Sequence, residues 1–339
     1  MTGTVTIRRV EDDLWIIAPE GAPTVLDDAA DADVVVLEVL GGHLTWSLAS
    51  GQPIPAAVID DMTLAQEWIW AVYGAAIALA ADEFDSDTTE LTVQPALPRL
   101  AANAWRLGYA QWAARWWPAS TIDGIAPLDE RLLDQEIAAL REECELIVDD
   151  DAEAVSSDDL STLEIPTRAE DYALAAGSVS GTSAHALVLA RGSGGWDWHR
   201  CPPGLIDASE HAVSWQVSRS PGTTTIGVEV VAAPRLAADI PAHLHPRALI
   251  AASAETVETE LNLVGDTWTG QATTTAEAVS SVEVYVPGVG APGLGNSGIR
   301  QQVRDIATTR LRRAAVDDDA AFDAPLLAEI AAAASESDF

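Results

Sequence analysis

The chain has 339 residues, 48% of them hydrophobic, and a formal net charge of −35. That is enough apolar material for two domains of ordinary size and too much for a disordered polymer. The charge comes from 53 carboxylates set against 18 basic residues, all of them arginine; without lysine, Schiff-base chemistry, a Walker-type phosphate lysine and a lysine general base are excluded. So acidic an exterior repels phosphate backbones, and direct nucleic-acid binding is not expected. Cys144 and Cys201 fall in different halves and form no CxxC pair, which fits a reducing cytoplasm. The opening "MTGTVTIRRVEDD" lacks the apolar core of a signal peptide, and the longest apolar run, 68–81, is too short to span a bilayer. A cytoplasmic protein with no membrane partner is expected.

In chain order, "TVTIRRV", "LWIIAP" and "DVVVLEV" read as strands, with "GGHLTWSLAS" as one more. From Ile54 the period changes, and three helices are predicted at about 55–82, 98–117 and 129–148. Within the second, Trp105, Tyr109, Trp112 and Trp116 recur at helical spacing and fall on one stripe, which Pro118 then ends. The next helix carries a matching stripe of Leu133, Ile137, Leu140, Cys144 and Ile147. The two stripes are expected to pack together, so these rings are read as core; Trp117 lies off the stripe. Residues 149–166, "DDDAEAVSSDDLSTLEIP", have the composition of an acidic linker.

Beyond it, "HALVLAR", "HAVSWQVS", "TTIGVEVVA", "TVETELNLV" and "SVEVYVP" are short Val/Thr/Ile-rich runs between turn residues, which favours an antiparallel sandwich or barrel. A helix, "GIRQQVRDIATTRLRRAA", and an acidic tail close the chain. The expected architecture is α+β: a mixed strand/helix domain over 1–148, the linker 149–166, a β-sandwich-like domain with one terminal helix over 167–315, and an acidic tail over 316–339.

Motifs that could carry chemistry are sparse. Gly293, Gly295 and Gly298 satisfy G-x-G-x-x-G, but no βαβ unit can follow, and Asp317 to Asp319 lie in the tail; a flexible loop is the better reading and no cofactor is expected. His243 and His245, or His199 and Cys201 with His211 further on, fall short of the three or four spaced ligands that zinc requires, so no metal is expected. Ser183 and His185 lack a nucleophile elbow and an acid partner, and "CPPG" after His199 reads as a turn. No catalytic residue is assigned. Arg300, Arg304, Arg310, Arg312 and Arg313 form a basic patch on the last long helix, and three of them lie in its final turns, where they suit the helix dipole. Two readings stay open: neutralisation within the chain, by the acidic tail, or docking onto an acidic partner or phosphate-bearing ligand. Trp196 and Trp198 in "GGWDWHR" could stack on a ligand if exposed.

The segment around Asp197, Trp198, Cys201, Pro202, Pro203, Gly204, Asp207, Ala208, Glu210 and Trp215, with the arginine helix and the "APLLAEIAAA" tail, resembles uncharacterised actinobacterial proteins encoded beside MoxR-type AAA ATPases and von Willebrand factor A-domain proteins in conflict (defence) systems. The resemblance covers about thirty residues plus the tail. It implies an accessory, partner-binding role without assigned catalytic residues. From the residues themselves, Trp198 and Trp215 are expected to meet across the Pro-Pro-Gly turn, and Asp207 and Glu210 to cap a short helical turn. The favoured function is a non-enzymatic adaptor or regulatory subunit of a cytoplasmic assembly, with an AAA ATPase or a von Willebrand A-domain protein as partner. The alternatives are a hydrolase with an interdomain site drawing on His199, Cys201 or His243, and a ligand-binding β-sandwich using exposed tryptophans.

Overall fold

The structure is a computed structural model that describes residues 3–11, 14–27, 32–83, 89–148, 187–221, 223–236, 239–252, 255–275, 278–290, 297–316 and 323–336. The linker 149–166, Ser183, His185, Gly293, Gly295 and Asp317 to Asp319 lie outside the described residues. The chain is α+β, as its patterning implies.

The first half opens with β1 (Thr4–Glu11), β2 (Leu14–Ala18), β3 (Val34–Val39), β4 (Gly42–Ser47) and β5 (Ala56–Ile59). With β6 (Thr89–Thr92) they form an antiparallel sheet in the order β3-β4-β5-β2-β1-β6. Strand β3 alternates: Val35, Leu37 and Val39 point inward while Glu38 faces water. Strand β5 is buried on both faces, Ala57 and Ile59 in the main core and Ala56 and Val58 against Ile16 and Ala18. This strand occupies the start of the predicted 55–82 helix. Small and β-branched residues suit a central strand covered on both sides, and a short apolar run cannot be told from a buried helix by periodicity alone.

Asp61 then caps α1 (Met62–Tyr73), accepting hydrogen bonds from the amides of Thr63 and Leu64. Gly74 splits the predicted helix and α2 (Ala75–Asp82) follows. Gly74 has φ +102°, and a Cβ there would sit 2.1 Å from the Gln94 carbonyl oxygen. Both facts demand glycine. Helix α3 (Pro98–Trp116) starts on proline, whose missing N–H costs nothing at that position. Asp129 caps α4 (Glu130–Glu143).

The aromatic stripe of α3 is core, as its spacing implies. Tyr109 and Trp112 are buried, with Trp105 and Trp116 partly buried against the same core. Tyr109 stacks between Trp105 and Trp112 at centroid distances of 5.8 and 5.6 Å. The indole N–H of Trp112 reaches the Ala32 carbonyl and that of Trp68 the Leu40 carbonyl, so these large rings enter the interior with their donors satisfied. Leu133, Leu140, Cys144 and Ile147 on the facing stripe are buried too.

The second half builds two antiparallel, sandwich-like sheets. One has the order β12-β13-β9-β8-β7, from β7 (Leu187–Gly194), β8 (Val213–Ser220), β9 (Thr223–Val231), β12 (Asn262–Val264) and β13 (Thr267–Thr274). The other has the order β11-β10-β14, from β10 (Arg247–Ala252), β11 (Thr256–Glu260) and β14 (Val279–Tyr285). Val228, Val230 and Trp268 from the first and Ala248, Ile250 and Val284 from the second join a single core with the helices of the first half.

Helix α5 (Ser297–Ala314) carries the arginines. A second helix, α6 (Leu327–Glu336), lies in the segment read from sequence as an acidic tail, and packs on α5 and α4. Leu326, Ala328, Ala332 and Ala333 are buried, as is the carboxylate of Glu329. Alanines make a weak apolar stripe, which is why this helix is hard to see in the sequence.

Gly74→Ala is expected to lower the unfolding free energy by at least about 2 kcal/mol, because both the dihedral and the contact with Gln94 must be strained. Urea denaturation checks this; an unchanged midpoint would mean that the α1–α2 break is not held by that contact.

Candidate functional site

The segment 195–210 folds as a knot of side chains between α3, α5 and the sheets. Asp207 is fully buried. Its Oδ1 accepts from the Ser120 hydroxyl at 2.7 Å and the Ser209 amide at 2.9 Å. Its Oδ2 accepts from the Thr121 amide at 2.7 Å and the Thr121 hydroxyl at 3.0 Å. Four donors satisfy the carboxylate, so its burial is compensated, and it fastens the loop after α3 to the second half.

Three residues on, Glu210 receives Arg300 as a fork, Nε to Oε1 at 2.7 Å and Nη2 to Oε2 at 2.9 Å. Arg304 adds a contact from Nη1 to Oε1 at 3.2 Å, donates to the Ala208 carbonyl at 3.0 Å and approaches Asp123 at 3.4 Å. Burial by itself would raise the Glu210 carboxyl, but the Arg300 hydrogen bonds and the charges of Arg300 and Arg304 outweigh it and hold the group below the usual carboxylate range. Gly195 completes the fit: a Cβ there would stand 2.3 Å from Glu210 Oε2.

The far end of α5 repeats this logic. Arg310 donates to both oxygens of Glu329, at 2.6 and 2.9 Å, and lies over the Tyr109 ring at 4.1 Å. Glu329 also accepts from the Tyr109 hydroxyl at 2.7 Å and the Leu326 amide at 2.8 Å. Asp323 bridges Arg310 and Arg313. Burial and then the Glu329 charge push the Tyr109 phenol well up, so it stays protonated and donates.

Of the five arginines read as a docking element, Arg300, Arg304 and Arg310 are therefore buried in pairs within the chain. Arg313 is bridged to Asp323, and Arg312 is exposed. Of the two readings left open by the sequence, neutralisation within the chain describes these four, and Asp323 and Glu329 of the tail supply part of it. Asp207 caps the turn that follows it, through the Ser209 amide, and also clamps a segment far away in sequence; Glu210 is a clamp and not a cap.

Trp196 and Trp198 are buried, at 6% and 5% exposure, and not the exposed rings that ligand stacking by them alone would need. They nonetheless line a cleft with the half-buried Trp116 and Trp117, beside Pro203 and Arg115. The cleft volume is about 60 Å³. The indole N–H of Trp196 donates to the Asp207 carbonyl at 2.8 Å and that of Trp117 to the Ala126 carbonyl at 2.9 Å. Trp215 does not meet Trp198 across the Pro-Pro-Gly turn as expected; it lies over Gly192 on the neighbouring strand, where a Cβ would meet its ring at 2.2 Å.

His199 sits beside Asp197, 3.2 Å from its Oδ1, and 6.2 Å from the Trp116 ring. Burial pushes the Cys201 and Cys144 thiols up to about 12, the opposite of what a nucleophile needs. His245 packs edge-on against Trp268, and His243 is exposed on a short 3-10 turn. Among the described residues, no group of three or more histidine, cysteine or carboxylate side chains is placed to hold a metal ion. No described helix is long and apolar enough to cross a membrane. No family model, curated protein or solved structure matches the chain.

The clamp has a pH signature. Because the Glu210 carboxyl titrates lower in the folded chain, its contribution is complete above about pH 4.3, the ordinary glutamate value, and is lost as pH falls through the folded value. Glu210→Gln should lower stability at neutral pH by about 3 kcal/mol and flatten the acid limb of the stability–pH curve. Denaturation midpoints from pH 7 to pH 3 test this; an acid limb as steep in the variant as in the parent would count against it.

Proposed function

We propose that the chain is a non-catalytic adaptor or regulatory subunit that recognises a protein partner through its acidic exterior. What supports this reading is the placement of charge. Arg300, Arg304, Arg310 and Arg313 are engaged by the chain's own carboxylates Glu210, Asp123, Glu329 and Asp323, so these arginines are withdrawn from docking while the excess of 53 acidic over 18 basic residues is left unchanged. An exterior of this sign favours a partner with a cationic face and speeds the encounter with it. The resemblance carried by residues 197–215 and the tail argues for an AAA ATPase or a von Willebrand A-domain protein of a bacterial conflict system as that partner. The residues of that segment are occupied in holding halves of the molecule together, which suits a scaffold. Arg312 is the exposed member of the arginine set on α5.

The experiment is co-purification from the native host, followed by binding measurements on the identified partner. Affinity is expected to fall about tenfold or more between about 50 and about 300 mM salt, as charge-directed docking requires. Binding indifferent to salt would contradict the acidic docking surface. Arg300→Gln, which disturbs an internal pair, should change stability more than affinity at a temperature where the chain stays folded.

A further inference from the structure

We infer that the cleft between the end of α3 and the 196–204 turn is a peptide site, and that it receives the proline ring of an extended partner segment bearing a carboxylate beside that proline. It goes beyond the adaptor reading and rests on it only in taking the ligand to be part of a partner protein. The walls include Trp116, Trp117, Trp196, Trp198, Pro118 and Pro203, a mainly apolar lining. At about 60 Å³ the space suits one ring-sized group, well short of the roughly 300 Å³ or more of a cofactor pocket.

The cleft offers ring faces. Trp117 and Trp196 have given their N–H donors to carbonyls of the chain, so what these two rings offer an occupant is flat apolar contact. A proline ring supplies that contact, and a proline-rich segment is already extended, so it loses little freedom on docking. The charge around the cleft chooses the neighbour of that proline. Arg115, in the last turn of α3, is exposed and lines the cleft. Among the described residues no carboxylate pairs with it, and no carboxylate shares the lining. A cationic occupant would meet Arg115 without compensation; an aspartate or glutamate next to the proline would meet it as a partner. The carboxylates nearest in the chain are engaged elsewhere, Asp197 with His199 and Asp207 with Ser120 and Thr121, and repulsion from those beyond about 8 Å is screened at physiological salt.

The test uses the full chain and the peptide acetyl-Ala-Pro-Pro-Asp-Ala-amide, followed by calorimetry and by shifts of the indole N–H resonances. Saturable binding is expected, weakened about tenfold or more when both prolines become alanine and again when the aspartate becomes lysine. Arg115→Glu, an exposed change that leaves the core intact, should invert the preference between the aspartate and lysine peptides. Ala119→Leu, which places a branched side chain in the cleft, should abolish binding without changing the melting temperature. Equal binding of the alanine peptide, or undiminished binding to Ala119→Leu, would overturn the site, as would no binding to the parent chain. Salt-dependent capture of the partner by a chain that fails these peptide tests would separate the two ideas, since it overturns the cleft and leaves the acidic docking surface standing.

Discussion

A guanidinium cannot shed its charge inside a protein, so an arginine taken out of water must be met by carboxylates or carbonyls at its N–H groups. Helix α5 places Arg300, Arg304 and Arg310 in that position. Their partners come from three separate segments: Asp123 from the loop after α3, Glu210 from the turn before β8, and Asp323 and Glu329 from the C-terminal segment. Each pair is directional, because a fork on a carboxylate fixes distance and angle together. The arginines thus fix how α5, α6 and the two halves meet, on top of an apolar core that specifies little about orientation.

The consequence for the surface is as important as that for the interior. The inward pairs cancel these arginines against carboxylates of the same chain, so the excess of 53 acidic over 18 basic residues is untouched and the net field outside remains strongly negative. The same junction shapes the aromatic cleft. Asp207 ties the Ser120–Thr121 loop down, its carbonyl takes the Trp196 indole, and this brings the end of α3 against the 196–204 turn. Without that tie the four indoles would come from two unrelated segments. Stability and the shape of the cleft therefore rest on one group of carboxylates.

Much of this was legible in the residues. The helical recurrence of Trp105, Tyr109, Trp112 and Trp116 places them in the core, and the alternation in "DVVVLEV" and "TTIGVEVVA" reads directly as half-buried strands. Where periodicity is ambiguous, reading stops: "PAAVI" before α1 is a central strand, and only a tertiary neighbour, the Gln94 carbonyl, explains why the helix breaks at Gly74. The arginine helix was visible as a helix, but the direction in which its charges point depends on acids as distant as Glu210 and Asp123, which spacing cannot report. Glu329, one acid within an alanine-rich run, was a faint sign that the tail is folded. The pairing of Trp116 and Trp117 with Trp196 and Trp198 had no sequence signal, since it joins positions some eighty residues apart.

The most direct measurement is a double-mutant cycle between Arg310 and Glu329, from equilibrium unfolding of the parent, Arg310→Gln, Glu329→Gln and the double variant. If these buried arginines are structural charges, the two residues should couple by about 2 kcal/mol or more, the double variant being more stable than the sum of the single losses allows. Additive losses, with no coupling between the two positions, would contradict the account.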